Sequence, residues 1–165
     1  MIKSRAGGGF LLAIGAFAAI GVSFTVFGGD FATAGPVAPV ADKAATDTQL
    51  DTWIIEARKV MAQEGIWGSH AGIKRNIIRE SGGNPLICND WDINARNGVP
   101  SCGLLQVIPP TFDRWKLPQS AYDRAGVRAD ADNLTDPIAN IVTACNYAMN
   151  RYPGKGGIDG INEAY

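Results

Sequence analysis

The stretch "TDPIANIVTACNYAMNRYPG", Thr135 to Gly154, constrains the fold more than any other part of the chain. At about 100° per residue, Ile138, Ile141, Val142, Cys145, Met149 and Tyr152 fall within a stripe of about 100°. Asp136 can cap the start, Pro137 suits the first helical position, and Pro153 with Gly154 stops the helix. A long helix with one apolar face needs other elements to cover that face. Two more helices are legible. Thr46 and Gln49 fit a capping box, after which Trp53, Ile54, Ala57, Val60 and Met61 recur at helical spacing until Gly65. Ser69 to Ser81 is the second, ended by Gly82 or Gly83 in a left-handed conformation.

Between Gly82 and Ser101 the sequence fills with Asn, Asp, Gly and Pro and predicts a loop or a short irregular hairpin. "CGLLQVI" reads as a short strand or the opening of a helix. Pro109 and Pro110 interrupt it before "TFDRW", and 117–134 is again loop-like. With no convincing run of alternating strands and no internal repeat, the chain reads as mainly α, a single compact helical domain. At 165 residues, 46% of them hydrophobic, it is long enough for one real core.

The chain begins like an export signal. Lys3 and Arg5 precede an apolar run from Phe10 to Phe27, and Ala32, Thr33 and Ala34 give a small-x-small site. Cleavage is expected after Ala34, making residues 1–34 a signal peptide; the run also has the length to span a bilayer, so a retained anchor is the alternative. Residues 35–46, including "GPVAPVADKAA", have the Pro and Ala content of a linker, and 47–165 form the folded domain. The net charge is −1 and no Lys/Arg cluster follows the leader, which argues against a nucleic-acid partner or an anionic membrane surface. One histidine, His70, and three cysteines without a CxxC argue against a metal site, and nothing calls for a cofactor.

Cys145 lies within the apolar stripe and reads as a buried thiol. Cys88 and Cys102 lie in loop-like sequence of an exported chain and are the expected disulfide.

The chemistry centres on "KRNIIRESGGNP". With Ile73 at zero, Ile77 comes to roughly 40° and Glu80 to roughly −20°, so the acid shares the apolar face. It also sits in the last helical turn, where the free carbonyls disfavour an anion. Both effects favour a carboxyl that keeps its proton and can donate it. The plainer alternative is that Glu80 turns outward and pairs with Arg79 or Lys74.

With Glu80, "SGGNP", "PSCGLLQVI" and "DPIANIVTACNYAMNRY" in this order and spacing, the chain resembles the soluble lytic transglycosylase (SLT) family, in particular its small secreted actinobacterial members. The resemblance covers about residues 50–165. It implies a lysozyme-like, mostly helical α+β fold with a substrate cleft, acting as a monomer on the glycan strands of peptidoglycan in or near the cell wall. It makes Glu80 the single catalytic acid and base, Ser81 its partner in "ES", and Gln106 a residue lining the sugar cleft. Asn140 and Ile141 match the "NI" behind the site, and Tyr147 an aromatic on the same helix. Tyr165 stands where the family's "AYN" tyrosine reaches the active centre, although "EAY" lacks the asparagine. The implied reaction cleaves the β-1,4 link between N-acetylmuramic acid and N-acetylglucosamine and leaves 1,6-anhydro ends. A hydrolase using water would need a second carboxylate, for which Asp90 and Asp92 are candidates that otherwise cap turns. A third possibility is a wall-binding protein without turnover. Trp91 is either a sugar-stacking ring or a core plug, and Asn94, Asn97 and Ser101 are candidate contacts for acetamido groups.

Overall fold

The structure, a computed structural model, describes residues 44–161. The leader with its cleavage site, most of the linker, and Tyr165 lie outside the described residues.

Among the described residues, seven α-helices follow in order: α1 Asp47–Gln63, α2 His70–Ser81, α3 Ile93–Arg96, α4 Pro109–Trp115, α5 Gln119–Arg124, α6 Pro137–Arg151 and α7 Gly157–Gly160, with a 3-10 turn at Pro153–Lys155. α6 is the centre. It packs against α1, α4 and α7, while α2 lies on α1 and α7. The stripe that points inward from α6 includes Ile138, Ile141, Val142, Cys145 and Ala148, and α1 answers with Leu50, Ile54, Ala57, Val60 and Met61.

The helix ends are set by local chemistry. The Thr46 hydroxyl accepts from the Gln49 N–H at 3.3 Å, half of a capping box. Asp136 accepts from the N–H groups of Ile138 and Ala139, both at 2.9 Å, with Pro137 in the first turn. Ser69 caps α2 by accepting from the Gly72 N–H at 2.9 Å, and Gly82 closes it at φ 61°. Asp159 of α7 then accepts from both the backbone N–H and the hydroxyl of Ser69, which fastens the end of the described chain to the start of α2.

Several short elements differ from the sequence expectation. Pro109 and Pro110 open α4 rather than merely interrupting a segment, because a missing N–H costs nothing in the first helical turn. Within 117–134, α5 buries Ala121 and Tyr122. Ala45, placed in the linker by composition, donates its N–H to the Gly83 carbonyl at 3.0 Å and packs against the core. The 82–108 region is held by isolated antiparallel bridges, Cys88 with Cys102 and Cys102 with Val107. No helix among the described residues is long and apolar enough to cross a membrane.

Candidate active site

Glu80 ends the buried face of α2. Ile73 and Ile77 on that face are fully buried, and the Glu80 side chain is only 7% exposed. It also pairs with its neighbour: Arg79 Nε and Nη2 donate to Glu80 Oε1 at 3.1 and 2.9 Å. The structure takes one part of each reading from sequence, the inner-face position of the first and the Arg79 pairing of the second, while Lys74 pairs with Asp47 and Asp51. The acid stays on the inner face, and the one-third-exposed Arg79 lies against it.

Behind this pair stands a residue that sequence reasoning missed. Asn76, 1% exposed, accepts from Arg79 Nη2 at 2.7 Å on Oδ1. Its Nδ2 donates to the carbonyls of Gly72 at 2.9 Å and of Ile158 at 3.0 Å. The one sequence clue is a polar residue directly before Ile77 on the helix face, which signals a buried group needing partners but not which ones.

Ser81 works on the helix end. Its hydroxyl donates to the Ile77 carbonyl at 3.1 Å and accepts from the Gly83 N–H at 3.2 Å. The chain then turns through Asn84 and runs to Ile87, whose carbonyl accepts from the Gly103 N–H at 2.9 Å. A short length of backbone thus connects the acid to the "GLLQ" turn.

That turn is closed by reciprocal bonds between Cys102 and Val107, both at 3.0 Å. Gln106 sits in it at φ 47°, the only non-glycine at positive φ among the described residues. Its amide compensates: Nε2 donates to the carbonyls of Ile87 and Gly103 at 3.1 and 3.0 Å, and Oε1 accepts from the Ser101 hydroxyl at 3.2 Å. Both amide hydrogens are committed to the loop, and Ser101 is buried. These two residues shape the turn.

Asn140 of α6 holds the turn from below. Its Oδ1 accepts from the Leu105 N–H at 2.8 Å, and its Nδ2 donates to the carbonyls of Cys102 and Leu134 at 3.1 and 2.9 Å. Gly103 makes this approach possible, since a Cβ there would lie 2.4 Å from Asn140 Nδ2, and the residue's φ is 83°. The "GLLQ" and "NI" segments, distant in sequence, are thus two sides of one hydrogen-bonded contact. A disulfide between Cys88 and Cys102 ties the loop after Glu80 to the same turn, while Cys145 is free and buried.

The acids of the intervening loop divide. Asp92 is buried and caps α3, its Oδ1 accepting from the Ala95 N–H at 2.8 Å and its Oδ2 from Asn89 Nδ2 at 3.3 Å. Asp90 is exposed. Trp91 is 57% exposed and so does not plug the core. Leu86 and Ile93 of the same loop are also exposed. Asn94, in α3, is half-buried, and Asn97 is exposed. Tyr147 is half-buried in an aromatic row, edge-to-face with Trp115 at 6.2 Å and with Tyr152 at 6.3 Å between centroids. Burial is the main cause holding its phenol above the usual range, with Tyr152 adding to it and Arg151 opposing. No group of three or more His, Cys, Asp or Glu among the described residues could hold a metal ion.

A mainly helical fold, a nearly buried acid at a helix end, and a loop pinned to the central helix define a lysozyme-like domain. Residues 60–161 match the family described as "Transglycosylase SLT domain", and the chain belongs to that family. It is also 34% identical over 117 residues to the "Uncharacterized protein YqbO" of Bacillus subtilis (strain 168), a match covering 71% of this chain and 7% of that protein. The chain thus spans a small fraction of the length of this relative. No solved structure matches it.

Proposed function

We propose that this protein is a secreted peptidoglycan lytic transglycosylase in which Glu80 is both acid and base. The observation that carries the reading is the asymmetry among the acids. Glu80 is nearly enclosed at the end of the inner face of α2, whereas Asp92 spends one oxygen on the cap of α3 and the other on the Asn89 amide, and Asp90 is exposed. A water-using glycosidase generally needs a second carboxylate facing the first.

In this reaction the protonated Glu80 gives its proton to the oxygen linking N-acetylmuramic acid to N-acetylglucosamine, and the bond from that oxygen to the muramic C1 breaks. The N-acetyl carbonyl of the muramic acid stabilises the positive charge at C1. Glu80, now a carboxylate, takes the proton of the C6 hydroxyl as that oxygen bonds to C1. The acid is restored and no water is consumed.

The other proposed contacts follow their placement. Exposed Trp91 offers a ring face to a sugar, and Asn94 and Tyr147 contribute from the loop and from α6. Ser101 and Gln106 act through the shape of the turn, and Tyr165, outside the described residues, takes the role that the resemblance to the family's "AYN" tyrosine implies. Secretion with cleavage after Ala34, a monomeric state and a location at the cell wall belong to the same proposal.

The test is Glu80→Gln. The variant is expected to lose peptidoglycan solubilisation by about 1000-fold or more while keeping the melting temperature of the parent within a few degrees. A folded variant that retains activity would reject the assignment of the acid. A parent that binds sacculi without releasing fragments would reject the enzyme and leave a wall-binding protein.

A further inference from the structure

A carboxyl group that works as acid and base must spend part of each cycle as an anion. Glu80 is badly placed for that: it is nearly excluded from solvent, and it sits at the end of α2 where the backbone carbonyls carry partial negative charge. Among the described residues, the cation placed against it is Arg79. Arg79 places two N–H groups on a single carboxylate oxygen, Oε1. Charge-assisted bonds of this kind are stronger than neutral ones and fix direction as well as charge.

Arg79 is itself held. Asn76 accepts from its Nη2, and Asn76 is in turn oriented by donating to two carbonyls, one in its own helix at Gly72 and one in α7 at Ile158. Other charged side chains among the described residues pair away from Glu80. Asp47 and Asp51 of α1 meet Lys74, and Asp51 also meets His70, near the start of the helix. Asp159 of α7 is engaged with Ser69.

We infer that Arg79 and Asn76 are positioning residues for Glu80, forming a relay from the Ile158 carbonyl through Asn76 and Arg79 to the carboxylate. The relay stabilises the anionic stage of the acid, and it makes the competence of the site depend on the docking of α7. This rests on the reading of Glu80 as acid and base, and it adds which residues make the second half of that cycle possible. It predicts that both residues act on turnover and not on glycan binding, since neither needs to touch the substrate.

The experiment measures kcat and KM separately on soluble uncrosslinked glycan strands, using the full chain and the variants Arg79→Met, Arg79→Lys, Asn76→Ala and Arg79→Met with Asn76→Ala. Arg79→Met is expected to lower kcat at least tenfold with KM within twofold. Arg79→Lys, which keeps the charge but not the fork, is expected to regain at least a third of the parental kcat. Asn76→Ala is expected to lower kcat in the parent and to cause no further loss in the Arg79→Met background. Melting temperatures measured alongside ensure that each variant is assayed in the folded state. An inactive parent defeats the proposed function itself. An active parent with an Arg79→Met variant of unchanged kcat, or with Arg79 and Asn76 effects that multiply independently, overturns the relay alone.

Discussion

Replacing Asn140 by leucine keeps the approximate shape of the side chain and removes all of its polar atoms. Three hydrogen bonds go with them. The losses are unequal. The Cys102 carbonyl keeps its bond from the Val107 N–H, but the Leu105 N–H, on a residue 3% exposed, loses its partner. An orphaned buried N–H costs about 1–3 kcal/mol, and each remaining lost bond about 1 kcal/mol. The total is about 3–5 kcal/mol, a large part of the stability of an ordinary domain. For a domain of this size it lowers the melting temperature by roughly 10–20 °C. Urea unfolding followed by circular dichroism at neutral pH measures the loss directly.

Asn140→Asp sharpens the same test. The aspartate still accepts from Leu105 but faces the Cys102 and Leu134 carbonyls with no hydrogen to give. Burial and those oxygens raise its folded-state pKa above the unfolded value of about 3.9. The unfolded chain then binds fewer protons across that window, so stability falls as pH rises through it and recovers in acid. A loss below 1 kcal/mol in the leucine variant, or no acid recovery in the aspartate variant, would refute the claim that Asn140 holds the "GLLQ" turn.

Three further outcomes are expected. Reducing the Cys88–Cys102 disulfide, or replacing both cysteines by serine, lowers stability by about 3 kcal/mol in denaturant unfolding, because the closed loop restricts the unfolded chain; an unchanged midpoint would contradict this. Thr143→Val raises stability by about 1 kcal/mol, since the Thr143 hydroxyl is buried without a hydrogen-bond partner among the described residues; a loss of more than 1 kcal/mol would show that the hydroxyl is satisfied. Burial, assisted by the charges of Asp136 and Asp159 respectively, holds the Tyr122 phenol and the Cys145 thiol well above their usual ranges. The unfolded chain releases these protons first, so stability falls above about pH 9–10 by up to about 1.4 kcal/mol per pH unit for each group. Cys145→Ala should reduce that alkaline slope, and an identical slope would count against it.

What the sequence reveals and what it conceals divide along the range of the interactions. The stripes of α1, α2 and α6 and the caps at Thr46, Ser69 and Asp136 are legible because period and capping are properties of a few consecutive residues. α4 is misread because two prolines look like an interruption until a helix is seen to begin on them. α5 is too short to show a period, and its place depends on burying Tyr122. Glu80 is legible as an acid on an apolar face, and Arg79 as one of its possible partners. Asn76 is not, because one of the groups that orients it is a carbonyl 82 positions away. The same holds for Asn140, whose bond to Cys102 spans 38 positions. The motifs mark which residues matter, and the fold shows that "GLLQ" and "NI" form a single contact.

The central claim is that one acid cleaves the glycan without water. Digesting purified sacculi in heavy-oxygen water and weighing the released muropeptides by mass spectrometry tests it most directly. The account predicts fragments with 1,6-anhydro ends, one water lighter than hydrolysed fragments and free of the heavy isotope. Reducing ends that carry heavy oxygen would contradict it.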